Sequence, residues 1–147
     1  MNGAFADTIM TLEQAHLNRL AGWGVASTIA GAALLLLIWR RRALLPMPFQ
    51  FALQTMLWGF IDLVIAGGAS RALVLRDHAA AVSLDRMLWL FIGLDAGFAM
   101  VGVTLVLAGW LTGRRMGLVG AGVAVAVQGA ALALLDLMLA GQVGPLL

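Results

Sequence analysis

Long uncharged stretches alternate along this chain with short clusters of arginine and acid. The stretches run from Leu20 to Trp39, from about Phe49 to Ser70, from Met87 to Thr112 and from Met116 to about Val143. Each reaches the roughly 20 apolar residues that a helix needs to cross a bilayer. Backbone polar groups have no water to bond in hydrocarbon, so segments of this length are predicted to be helices. Pro46 and Pro48 fall just before or at the start of the second stretch, where proline costs a helix little. Gly113 and the Gly144-Pro145 pair mark further boundaries. The pattern predicts an all-α, four-helix transmembrane bundle forming one integral membrane domain over residues 1–147.

Residues 1–18 read differently. They carry Asp7 and Glu13 and lack the basic start of a signal peptide. Phe5, Ile9, Leu12 and His16 recur at helical spacing, which predicts a short interfacial helix leading into the first span. An extension packed against a partner would show the same spacing.

Composition agrees with the pattern, since 63% of the 147 residues are hydrophobic and 11% charged, against about 25% charged in soluble domains. There is no cysteine, which removes disulfides, thiolate nucleophiles and thiolate metal sites. All nine basic residues are arginine, and the net charge is only +2. The arginines sit at helix ends rather than on one solvated face, so no nucleic-acid partner is expected.

Arginine placement sets the expected orientation. Arg40, Arg41 and Arg42 follow span one, Arg114 and Arg115 follow span three, and neither loop contains an acid. At the other end Arg19, Arg71, Arg76 and Arg86 are offset by Asp7, Glu13, Asp77 and Asp85. The acid-free clusters are expected in the cytoplasm, leaving both termini outside a bacterial inner membrane. Trp23 and Trp89 then fall near the outer interface, Trp39 and Trp110 near the inner one, and Trp58 deep in span two.

The halves superpose in part on a shift of 74 positions (128 − 54). Arg40-Arg41 meets Arg114-Arg115, Gln54 meets Gln128, Asp62-Leu63 meets Asp136-Leu137, and Ala66-Gly67 meets Ala140-Gly141. The unit is a helical hairpin, so its two copies are expected to run parallel about an axis along the membrane normal.

Three acids interrupt the spans: Asp62, Asp95 and Asp136. A carboxylate there costs about 2.5–3.5 kcal/mol on insertion scales, so each requires a partner or a purpose. Asp62 lies nine residues from Arg71, Asp95 nine from Arg86 and Asp136 nine from Pro145, which places all three about 13 Å below the outer surface. Gly59, Ala66, Ala99, Gly102, Ala133 and Ala140 lie on the same helix faces, where small residues let helices approach. One intramembrane polar layer is therefore expected, with Gln54 and Gln128 as further contacts and Arg19 as the nearest cation. His16 and His78 fit no metal-ligand spacing and are expected as solvated loop or interface residues. No serine–histidine–acid or phosphate-loop motif is present, and no cofactor is expected.

Three segments carry a family resemblance: FALQTMLWGFIDLVIA from Phe51 to Ala66, LWLFIGLDAGFAMVG from Leu88 to Gly102, and VQGAALALLDL from Val127 to Leu137. Together they resemble a small bacterial four-helix membrane family known only as a domain of unknown function. The likeness runs from the region of Trp23 to span four, and its most specific parts are Gly93-Leu94-Asp95 and the Gln128…Asp136 pair. Ser27 and Phe91 stand where that family usually has asparagine, and Phe98 where it has tyrosine. The resemblance implies the fold and no activity. The expected function is non-enzymatic: a structural or accessory subunit of a membrane assembly, as a homo-oligomer or in a larger complex within the lipid bilayer. The alternative is a small proton- or cation-coupled transporter or channel using the three aspartates. A closed, fully hydrogen-bonded layer would favour the first, and a pocket lined by the three acids and open to the outside the second.

Overall fold

In the computed structural model, which describes residues 3–147, four helices follow one another: α1 (Gly3–Ile38), α2 (Pro46–Arg71), α3 (His78–Leu111) and α4 (Met116–Val143). All four are long and apolar enough to cross a membrane. Short 3-10 turns follow α1 at Trp39–Arg41 and α4 at Gly144–Leu146. The ends obey local chemistry. Pro46 occupies the first turn of α2, where its missing N–H is one that the helix would leave unbonded. The Asp77 carboxylate caps α3 by accepting from the Ala80 N–H at 2.8 Å. Between α3 and α4 the chain turns through Gly113 at φ +83°, a left-handed conformation that glycine adopts without steric penalty.

The helices form two antiparallel hairpins, α1 with α2 and α3 with α4. They join along α2 and α4, with a smaller contact between α1 and α4, while α2 and α3 scarcely touch. Both termini and the 72–77 connection therefore share one end of the bundle, here called the terminal end. The two short arginine-bearing connections share the other, the arginine end. There Arg42 lies over the Trp39 ring at 4.7 Å and Arg114 over the Trp110 ring at 5.3 Å, within cation–π range.

Side chains on the perimeter are apolar and open, with Leu36 80% and Leu37 81% exposed. Water would penalise such a surface; hydrocarbon does not. Lipid also removes the hydrophobic drive between helices, so close backbone packing at small residues has to hold them. The buried residues of α3 recur every seven positions: Ala81, Leu88, Asp95, Gly102 and Gly109. In α2 the series is Ala52, Gly59 and Ala66. This is the seam of a left-handed helix pair, built here from residues small enough to bring backbones together. Gly24 and Gly59 face each other, and a Cβ on either would come within 2.8 Å of the other's carbonyl oxygen. Gly102 lies against the backbone of Gly122 and Ala126 in the same way.

The N-terminal segment differs from expectation. Residues 3–18 form the first turns of an unbroken α1 rather than a helix of their own; residues 1 and 2 lie outside the described residues. The spaced residues Phe5, Ile9 and Leu12 pack on Ala81, Leu84, Leu88 and Ile92 of α3 and on Leu139, Ala140 and Val143 of α4. The partner that their spacing requires is the chain's own second hairpin.

The glycine contacts generate a direct test. Gly102→Ala places a methyl against α4 backbone, while Gly93→Ala meets nothing within 4 Å. In denaturant titrations of the detergent-solubilised protein, Gly102→Ala is expected to lower stability by about 1–3 kcal/mol. Gly93→Ala should leave it unchanged or slightly raised. Equal stabilities would show that this contact does not hold α3 to α4.

Candidate functional site

Because α2 and α3 scarcely touch, the four helices enclose a cavity of about 480 Å³ in the half of the bundle nearer the terminal end. Each polar lining group is placed by its element. Glu13 and His16 come from α1, Asp62 from α2 and Asp95 from α3. Gln128 and Asp136 come from α4, and Arg76 from the 72–77 connection. The remaining wall is apolar and includes Trp58, Ile61 and Ile65 of α2 and Phe91, Leu94 and Phe98 of α3. Trp58 and Phe98 meet edge to face with ring centroids 5.6 Å apart, bridging the two helices at the deep end.

Three polar sets divide the lining. In the first, the Trp23 indole N–H donates to Gln128 Oε1 at 3.0 Å, and Gln128 Nε2 donates to Asp62 Oδ2 at 2.6 Å. Asp62 is almost wholly buried, at 1% exposure, so its carboxyl is fixed by a chain reaching across three helices. In the second, His16 Nε2 lies 3.3 Å from Asp136 Oδ1, while His16 Nδ1 is buried with no partner among the described residues. In the third, Arg76 donates through Nε and Nη2 to the two Glu13 oxygens at 2.7 and 2.9 Å. Such a forked pair fixes both partners. The Glu13 hydrogen bond holds the Arg76 guanidinium above its already high ordinary pKa, so Arg76 stays charged at any pH at which the protein would be handled.

Asp95 belongs to none of these sets. It is 9% exposed, lines the cavity and makes no side-chain hydrogen bond among the described residues. It occupies a seam position of α3 between Leu88 and Gly102, and its backbone presses on α4 where Gly129 has no side chain. The seam leaves its carboxyl facing the hollow.

Of the residues expected in one polar layer, Asp62, Asp95, Asp136 and Gln128 meet at this cavity. Arg19 and Gln54 do not line it. Arg19 is half-buried, with its Nη1 unbonded among the described residues; the cation at the cavity is Arg76. Gln54 is half-buried and shares none of the contacts of Gln128, its match on the 74-residue shift. His16 also departs from expectation. It is not solvated but 8% exposed, because α1 continues past it and carries it between the hairpins. His78 is exposed, with its ring stacked on Phe5 and Nε2 3.3 Å from the Leu147 carbonyl.

Glu13, His16 and Arg76 are the site residues that sequence reasoning missed. A signal for the first two was present: Glu13 and His16 sit on the same helical face as Ile9, Leu17 and Leu20, all buried. Arg76 carried none, since its partner is 63 residues away.

The lining is rich in acceptors. Each ionised carboxylate offers about four lone-pair sites, yet Asp62 and Asp136 each meet one donor group and Asp95 none. The acids are spread around the cavity, and among the described residues no three His, Asp or Glu side chains converge closely enough to hold a metal ion.

Comparison with known proteins gives one match. Residues 19–137 fit the model of a "Family of unknown function (DUF6992)". No curated protein and no solved structure matches the chain. Phe91 and Phe98, two of the departures noted above, both line the cavity.

The two glutamines provide a test of the site's construction. Gln128→Leu removes the donor to Asp62 and strands the Trp23 N–H, so a loss of about 1–3 kcal/mol in unfolding stability is expected. Gln54→Leu should cost less than half of that. A larger cost at Gln54 would mean that the Trp23–Gln128–Asp62 chain does not fix Asp62.

Proposed function

The chain belongs to this family of unknown function, so its role has to be read from its own site, and we propose that it is a non-enzymatic, membrane-embedded binding protein. Its guest is an amphipathic small molecule drawn from the lipid through the gap between α2 and α3. One observation carries this reading: a cavity of about 480 Å³ whose deep polar wall includes the unpaired Asp95 and whose side opens between two helices that scarcely touch. Ligand sites in proteins are commonly about 300–1,000 Å³, mostly apolar, with a few converging polar groups. Ile65, 54% exposed, and Leu94, 52% exposed, line the cavity and also face outward. A guest entering there slides along side chains that already face lipid.

A purely structural layer would have its polar groups mutually bonded, whereas Asp95 lacks a partner and a hollow separates the helices. A channel needs a continuous path. Beyond Trp58 and Phe98, backbone contacts at Gly31, Gly102 and Gly120 hold α1 to α2, α3 to α4 and α4 to α2, and the cavity lining does not extend to the arginine end. Binding therefore fits better than conduction. With the arginine clusters in the cytoplasm of a bacterial inner membrane, the cavity draws from the outer leaflet.

Ala69 lines the cavity next to the mouth, and Ala69→Trp fills it. Protein taken gently from native membranes is expected to show a stoichiometric small amphiphile by native mass spectrometry, and the filled variant should lose it. If wild type and variant carry the same general lipids in the same amounts, the binding role is wrong.

A further inference from the structure

We infer that the polar end of this guest is a primary or secondary ammonium group carried on a single alkyl chain, an inference that rests on the binding role proposed above. Among the described residues the cavity lining has one arginine, Arg76, which is engaged by both Glu13 oxygens, so no unpaired arginine or lysine there can receive a phosphate, sulfate or carboxylate. What it has in excess is acceptors. Asp95, nine-tenths buried, lines the cavity without a side-chain donor among the described residues, and Asp62 and Asp136 keep further lone pairs beyond their single contacts with Gln128 and His16. A group bringing positive charge and two or three N–H bonds completes this set.

The spacing selects among cations. A bare metal ion needs ligands closing on one point, and these side chains do not do so. An ammonium group directs its N–H bonds outward and can bond carboxylates on different helices. Quaternary ammonium carries the charge but no N–H, so it leaves the acceptors unmet. Trp58 and Phe98, packed edge to face at the deep end of the cavity, add aromatic faces that favour a nearby cation. The passage between α2 and α3 then directs the alkyl chain into lipid. A two-chain aminophospholipid fits poorly, because its phosphate would enter an acceptor-rich wall beside an arginine already neutralised by Glu13.

The test is a native mass spectrometry titration of the full chain in lipid nanodiscs with dodecylamine, dodecyltrimethylammonium, dodecanol, dodecyl sulfate and phosphatidylethanolamine. Saturable binding of one dodecylamine is expected, at least about tenfold tighter than any of the others. Asp95→Asn, nearly identical in shape, should weaken it at least about tenfold. Asp85→Asn, which removes an acid of α3 that does not line the cavity, should leave it unchanged. Dodecanol binding as tightly as dodecylamine overturns the ammonium assignment while leaving the binding role intact. Preference for dodecyl sulfate or phosphatidylethanolamine, or equal weakening by both variants, overturns it as well. Absence of saturable binding by all five, together with no guest on the native protein, removes the binding role itself.

Discussion

The structure depends on backbone-to-backbone contact between helices. In hydrocarbon, burying apolar side chains gains nothing over leaving them in lipid, so helices associate through close packing and polar contacts. Gly24 against Gly59 and Gly102 against Gly122 supply the first in the two hairpins. Gly120, pressed on the backbone of Met47, brings α2 and α4 together at the arginine end. These contacts determine more than cohesion. They tie α1 to α2, α3 to α4 and α2 to α4, and leave α2 and α3 without an equivalent seam. The cavity is the consequence of that missing seam between α2 and α3.

At the terminal end a different device takes over. α1 runs 36 residues without a break, longer than a single crossing needs, and its first turns lie across the second hairpin through Phe5, Ile9 and Leu12. The Glu13–Arg76 fork then binds the 72–77 connection to α1. The hollow is thus closed toward the terminal end by α1 and an ion pair, and toward the arginine end by glycine contacts. Ile65 of α2 and Leu94 of α3 line the hollow and are exposed on the perimeter, so it reaches the outer face of the bundle between those two helices.

The fold was legible because lipid imposes one rule along the whole chain. Twenty uncharged residues have no alternative to a helix, and the Asp77 cap, Pro46 and Gly113 act locally, within a turn of their own positions. The three aspartates were legible for the same reason, since charge stands out in an apolar run. The rest required knowing which helix faces which. His16 looks like an interface residue because its sequence neighbours are polar, and only the docking of α1 buries it. Arg19 lies closer in sequence to the first span than Arg76 does to any, yet Arg76 reaches the site, because the loop folds back over Glu13. Gln54 and Gln128 match in sequence and differ in surroundings: α4 touches three helices, and Gln128 stands where Trp23 and Asp62 converge.

Asp95 is the residue that packing alone explains least. Its seam neighbours Leu88 and Gly102 show what the position would hold if packing alone decided: something apolar or small. A carboxyl there is costly in hydrocarbon, and no protein donor among the described residues offsets it. Removing a charge of this kind usually stabilises a bundle when an apolar side chain of similar volume takes its place. The bundle keeps it where Gly129 lets α4 come close and the carboxyl still faces open space. Asp62 and Asp136 are each partly met by a neighbour that restrains them, whereas Asp95 has no side-chain donor among the described residues. Glycine is what allows a carboxyl at a seam position at all: with Gly129 opposite, α3 and α4 still meet backbone to backbone, and the acid is left on the wall of the cavity.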